Sequence, residues 1–156
     1  YRTQSQDNNQ RIFYPLNEKT LFKINQKFRI FTKNFKKEER SIYTKGRVFK
    51  IKNYYRGFAR FNFKELCDQN LGAEDYLNIS QVCFHIFIDE VPKFNDYNSN
   101  QQLRFITLID ILYEKKITLT LTMETDLDNI GTSKKHSEAF KRTTSRLHEM
   151  TASKLS

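Results

Sequence analysis

The stretch FHIFIDEVPKFNDYNSNQQLRFITLIDILYEKKITLTLT, residues 84–122, decides the fold. Its first five residues form an apolar run of strand length. Residues 103–114 then place Ile106, Ile109, Leu112 and Tyr113 at steps that bring them onto one face of a helix. Residues 117–122 return to a short apolar run rich in β-branched side chains, the composition of a second strand. Strand, helix and strand in this order predict a βαβ unit, because parallel strands need a crossover of this length and a parallel sheet must be covered by helices. Lys115 and Lys116 follow the helix where its C-terminal end is negative. Between strand and helix, the Asn- and Ser-rich residues 94–102 read as exposed connection.

Upstream, Leu21, Ile24, Phe28, Phe31 and Phe35 recur at steps of three and four, which predicts an amphipathic helix starting near Asn17. From Ser41 the pattern alternates around Lys45-Gly46, a β-hairpin signal. Asn62 is placed to cap a short helix, with Glu65 where a capping box needs it. A further helix fits residues 73–82 after Gly72, and a last one residues 138–150. The chain thus divides into a polar tail or linker (1–11), a helix-plus-hairpin region (12–58) and an α/β part (59–156).

A chain of 156 residues fits one domain or a piece of one. Its 38% hydrophobic and 14% aromatic content suits a packed fold and excludes a disordered chain. The net charge of +9 attracts anionic partners, an anionic membrane surface or nucleic acid, although Lys-rich surface bias gives the same total. No recognised nucleic-acid motif accompanies the charge, so nucleic acid is the disfavoured partner. No run approaches the ~20 apolar residues that span a bilayer. Cys67 and Cys83 lie in apolar runs without a Cys-x-x-Cys pair, which predicts buried free thiols in a reducing compartment. Three scattered histidines supply no tetrahedral zinc set, so no metal site is expected.

Four phrases occur in order across the second half: Arg60-Phe61-Asn62-Phe63-Lys64-Glu65-Leu66-Cys67, Leu71-Gly72-Ala73-Glu74-Asp75-Tyr76, Arg104-Phe105-Ile106-Thr107-Leu108-Ile109-Asp110-Ile111-Leu112-Tyr113, and Arg142-Thr143-Thr144-Ser145-Arg146-Leu147-His148-Glu149-Met150. Together they resemble the C-terminal part of ZapE / AFG-one-like AAA+ ATPases, which include a bacterial cell-division ATPase and mitochondrial relatives. The resemblance implies an α/β fold, the C-terminal portion of a P-loop NTPase (AAA+) core. It also implies ATP and Mg²⁺ as cofactors of the parent family, other protein subunits as partners in a homo-oligomeric ring or larger complex, and a place on the matrix side of the mitochondrial inner membrane or in the bacterial cytoplasm. The departure is that Gly-x-x-x-x-Gly-Lys-Ser/Thr, whose amides and lysine would cradle phosphates, is nowhere in this sequence. Neither ATP nor Mg²⁺ is therefore expected to bind this segment alone. The expected function is that of an ATPase segment serving protein quality control or complex assembly. The alternative is a catalytically inactive structural subunit derived from such an ATPase.

Candidate site residues follow from these readings. Asp89 and Glu90 end an apolar run, as a Walker B pair does when Asp holds Mg²⁺ and Glu orients water; the same pair also reads as the plain end of a core strand. Arg142 and Arg146, four apart, share a helix face. The resemblance offers them, with Arg104, as nucleotide-sensing residues or a trans-acting finger. The competing reading has them in salt bridges or capping the sheet, with Glu149 among the partners. No residue of the segment is assigned as catalytic.

Overall fold

The computed structural model describes residues 9–152. Among them, one six-stranded sheet is built from β1 (Ile12–Phe13), β2 (Glu38–Thr44), β3 (Arg47–Tyr55), β4 (Phe58–Asn62), β5 (His85–Val91) and β6 (Thr118–Met123). The helices are α1 (Glu18–Thr32), α2 (Phe63–Cys67), α3 (Ala73–Val82), α4 (Ser99–Glu114) and α5 (Ser137–Thr151). Strand order is β1-β6-β5-β4-β3-β2. The pairs β1·β6, β6·β5 and β5·β4 are parallel, and β4·β3 and β3·β2 antiparallel. The predicted βαβ unit is thus β5-α4-β6, within a larger mixed α/β sheet.

Local chemistry sets the element boundaries. The Asn17 side chain accepts from Thr20 N at 2.9 Å, satisfying one free amide at the start of α1. At α2 the capping box is closed from both sides: Asn62 accepts from Lys64 N at 3.0 Å, and Glu65 accepts from Asn62 N at 2.9 Å. Two-residue turns with positive φ at both positions, Lys45-Gly46 and Arg56-Gly57, join β2 to β3 and β3 to β4. Such turns match the right-handed twist of the strands they join. A Cβ on Gly57 would meet the Phe84 ring at 2.4 Å, so this position admits glycine for space as well as for φ.

Alternation along the strands separates two layers. One face carries Ala59 and Phe61 from β4, Ile86 and Ile88 from β5, and Leu119, Leu121 and Met123 from β6. These pack with Phe105, Leu108, Ile109 and Leu112 of α4 and with Phe140 and Leu147 of α5 in one large cluster. The opposite face is covered by α1, whose Ile24 and Phe28 meet Phe13, Phe58 and Phe87 in a second, smaller cluster.

Several expectations are corrected. Residues 94–102 are not all exposed connection: α4 begins at Ser99, and Gln102 is fully buried, bonded to Ser133 N, Ser133 Oγ and Thr132 Oγ1. Polar loop composition hid a buried amide hub that holds the segment before α5. Leu21 belongs to the apolar stripe by spacing but is exposed, while Thr20 and Lys27 are buried instead, with Lys27 Nζ donating to Gln10 O. Tyr113 is half-buried. The strands β1 and β4 were not anticipated.

Candidate functional site

Parallel strands β4, β5 and β6 end side by side, and their last residues bring Asn62, Asp89, Glu90 and Thr122 together. Ligands of open α/β sheets bind beyond such carboxyl ends. Arg60 Nε donates to Asp89 Oδ2 at 2.6 Å, and Thr122 Oγ1 donates to Asp89 Oδ1 at 3.1 Å. Glu90 N donates to Thr122 Oγ1 at 2.8 Å, while Asn62 Nδ2 donates to Glu90 Oε2 at 2.6 Å. A break in the β5·β6 register between Ile88 and Val91 goes with φ +63° at Glu90, a left-handed conformation that turns this acid out of the strand.

A cavity of about 290 Å³ opens here, walled by these four residues and by Leu16, Asn17, Thr20, Leu21 and Ile24 from the start of α1. Its lining carries two carboxylates and no lysine or arginine. A nucleoside triphosphate would meet negative charge, and Asp89 has both oxygens engaged by Arg60 and Thr122. Among the described residues the lining thus offers no cation to the phosphates of the nucleotide that the parent family implies. Among the described residues, no group of three or more His, Cys, Asp or Glu is placed to hold a metal ion. The Walker-B-like pair sits at the end of a strand, as sequence reading placed it. Its partners Arg60, Thr122 and Asn62 were not foreseen, because they are brought together across the sheet from positions about thirty residues away.

The three arginines lie elsewhere, on the face covered by α4 and α5. Arg146 Nη1 donates to Asp110 Oδ1 at 2.6 Å, and its guanidinium stands 4.6 Å over the Tyr113 ring. Arg142 reaches the other Asp110 oxygen at 3.4 Å, a long bond, with its side chain 61% exposed. Arg104 Nη1 donates to Cys67 O at 3.2 Å, tying α4 to the end of α2. The ion-pair partner is Asp110, one helical face away on α4. Glu149 instead accepts from the Tyr113 hydroxyl at 2.9 Å. The five candidate residues thus fall on two sides of the sheet and do not converge on one centre.

Burial also shifts the acidity of groups outside these sites. His85 is buried against Phe87, with ring centroids 4.5 Å apart, and its Nε2 lies 2.9 Å from Thr120 Oγ1. Loss of solvent, with Arg11 and Lys27 nearby, lowers its pKa to about 3. It is neutral at physiological pH. Cys67 and Cys83 are buried, and burial pushes both thiols up, that of Cys83 to about 12, so neither is a nucleophile near neutrality. No helix among the described residues is long and apolar enough to cross a membrane.

Comparison with known proteins places these features. The family described as AFG1-like ATPase matches residues 1–156. Lactation elevated protein 1 homolog B of Danio rerio is 32% identical over 100 residues, covering 64% of this chain and 20% of that protein. An uncharacterized Schizosaccharomyces pombe protein, C115.02c, is 36% identical over 73 residues, 46% of this chain and 16% of its own length. Cell division protein ZapE of Escherichia coli K12 is 29% identical over 89 residues, 57% of this chain and 24% of its own. The chain spans about a fifth of the length of these relatives. No solved structure matches. Since the family match runs over the whole sequence, and the sheet supplies the mixed α/β frame expected of the C-terminal portion of a P-loop NTPase, the chain belongs to the AFG1-like ATPase family.

Proposed function

We propose that the chain is the C-terminal part of an ATPase that couples ATP hydrolysis to protein quality control or to the assembly of complexes, within a homo-oligomeric ring or a larger complex. The observation that carries this reading is the family match over residues 1–156. The setting proposed is the matrix side of the mitochondrial inner membrane, a setting open to the chain because some of the relatives come from eukaryotes. The bacterial cytoplasm, as for a ZapE-like protein serving division, is the alternative.

In this reading the segment does not hold the nucleotide in its own cavity, whose acidic wall is unsuited to phosphates. It contributes a rigid α4–α5 platform, from which Arg142 projects. A guanidinium on a packed helix offers paired donors to a phosphate or carboxylate of a neighbouring subunit. Arg146 and Arg104, both tied within the chain, position the platform.

A second reading, a catalytically inactive structural subunit, is favoured by one observation: Arg104, Arg142 and Arg146 all have partners within the segment. ATP turnover by the purified full-length protein separates the two. Mg²⁺-dependent release of phosphate supports the ATPase reading. Its absence under conditions where the protein is folded and oligomeric supports the structural one.

A further inference from the structure

The positive charge of this protein is confined to one region. Residues 12–58 hold 13 Lys and Arg against 3 Asp and Glu, a net +10, whereas residues 59–156 hold 12 against 14, a net −2. The basic region is α1 and the β2–β3 hairpin. Along α1 the side opposite Ile24 and Phe28 presents Lys19, Lys23, Arg29 and Lys33, interleaved with Phe22 and Ile30, which are 67% and 52% exposed. Glu18, in the first turn, is the one acid of this helix. Among the described residues, none of those four cations forms an ion pair.

The hairpin continues the same side of the sheet. Ile42 of β2 and Ile51 of β3 point into the large cluster under α3 and α4. By strand alternation Tyr43, Val48, Lys50 and Lys52 point the other way, toward the α1 side. Tyr43 and Val48 are cross-strand partners, and both are exposed.

We infer that this face docks on an anionic phospholipid surface, with α1 lying in the plane of the membrane. Cations flanking large apolar side chains on a surface helix are the pattern that gains both from acidic headgroups and from insertion at the acyl boundary. At ~1.5 Å per residue, α1 lays about 22 Å of such surface along a bilayer. Charge alone would equally suit nucleic acid. The aliphatic exposed residues decide between them, since Ile30 and Val48 have no ring to stack on a base but lose hydration on entering lipid. The inference stands apart from the nucleotide reading, because it uses neither the arginines of α4 and α5 nor the strand-end cavity.

The test is co-sedimentation of the full-length protein with vesicles of phosphatidylcholine alone or with one third phosphatidylglycerol, beside capture on a mixed-sequence oligonucleotide. The expected result is binding to the anionic vesicles that weakens with salt and is at least tenfold weaker on neutral ones. Neutralising K19Q/K23Q/K33Q lowers vesicle binding by about a hundredfold, at roughly fivefold per charge. F22S/I30S removes the part of binding that survives high salt, with an unchanged unfolding midpoint in both variants. Equal binding to neutral and anionic vesicles, wild-type binding by the triple variant, or retention on the oligonucleotide without retention on vesicles would each overturn it.

Discussion

The two faces of the sheet are made by the same strands yet differ in kind. On β6, Leu119, Leu121 and Met123 enter the cluster beneath α4 and α5, while Thr118, Thr120 and Thr122 alternate onto the side of α1. On β5, Ile86 and Ile88 face the first side, and His85, Phe87 and Asp89 the second. The α4–α5 face is apolar and deeply buried, and it is assembled from the phrases that carry the family resemblance. The α1 face mixes aromatic rings with a histidine, a partly buried ion pair and a strand-end cavity beneath a basic outer surface. The difference teaches that most of the phrases mark packing, because their apolar residues enter the α4–α5 cluster, whereas the excess of positive charge lies upstream of them.

The largest effect expected from this contrast is in the core. Phe105→Ala, at a fully buried position, should cost about 3–5 kcal/mol of stability. Phe31→Ala, on the α1 side and only partly buried, should cost about half as much. Equal losses in denaturant titrations would erase the contrast.

Next comes acid. With its folded pKa near 3 and an unfolded value near 6.5, His85 binds more protons when the chain is unfolded anywhere between those limits. Its neutral burial stabilises the protein fully above pH 6.5, and this contribution falls away as pH drops toward 3, by a few kcal/mol in total. His85→Gln should flatten stability between pH 6.5 and 4.5, before most carboxylates titrate. An unchanged slope would show that His85 is hydrated.

Smaller still is the strand-end pair. Its two side chains are 15% and 17% exposed, and Arg60→Ala leaves Asp89 without its cation, at about 2 kcal/mol. A double-mutant cycle with Asp89→Asn should return a coupling of about 1 kcal/mol or more, and no coupling would reduce the pair to surface decoration. The smallest change expected is at Lys45, whose ion pair with Glu74 at 3.3 Å lies between exposed groups. Lys45→Ala should alter stability by no more than about 0.5 kcal/mol.

Much of the frame was legible because it depends on neighbours in sequence. The capping box at Asn62 and Glu65, the turn at Lys45-Gly46, the helix Ala73–Val82 and the β5-α4-β6 unit each announce themselves within a few residues. What stayed hidden depends on contacts that sequence spacing does not encode. β4 is five residues long and runs straight into its capping Asn62, so its apolar residues read as the approach to a helix. β1 contributes two residues, too few for any period to register. Asp110 lies 32 and 36 positions from the arginines it binds, and nothing in the local pattern of α4 sets it apart from a solvent-facing acid. The candidate acids and arginines were identifiable by type, but their division between two faces follows from register alone.

The most direct test of the account compares Arg142→Ala with Arg146→Ala in the full-length protein, measuring ATP turnover and the unfolding midpoint side by side. Arg146, pinned between Asp110 and Tyr113, should lower the midpoint when removed. Arg142→Ala should leave the midpoint unchanged and reduce turnover by about a thousandfold or more, the scale on which an arginine acting across an interface contributes. A loss of midpoint in both variants, with turnover falling only in proportion to the folded fraction, would contradict the account and make the whole α4–α5 face a matter of packing.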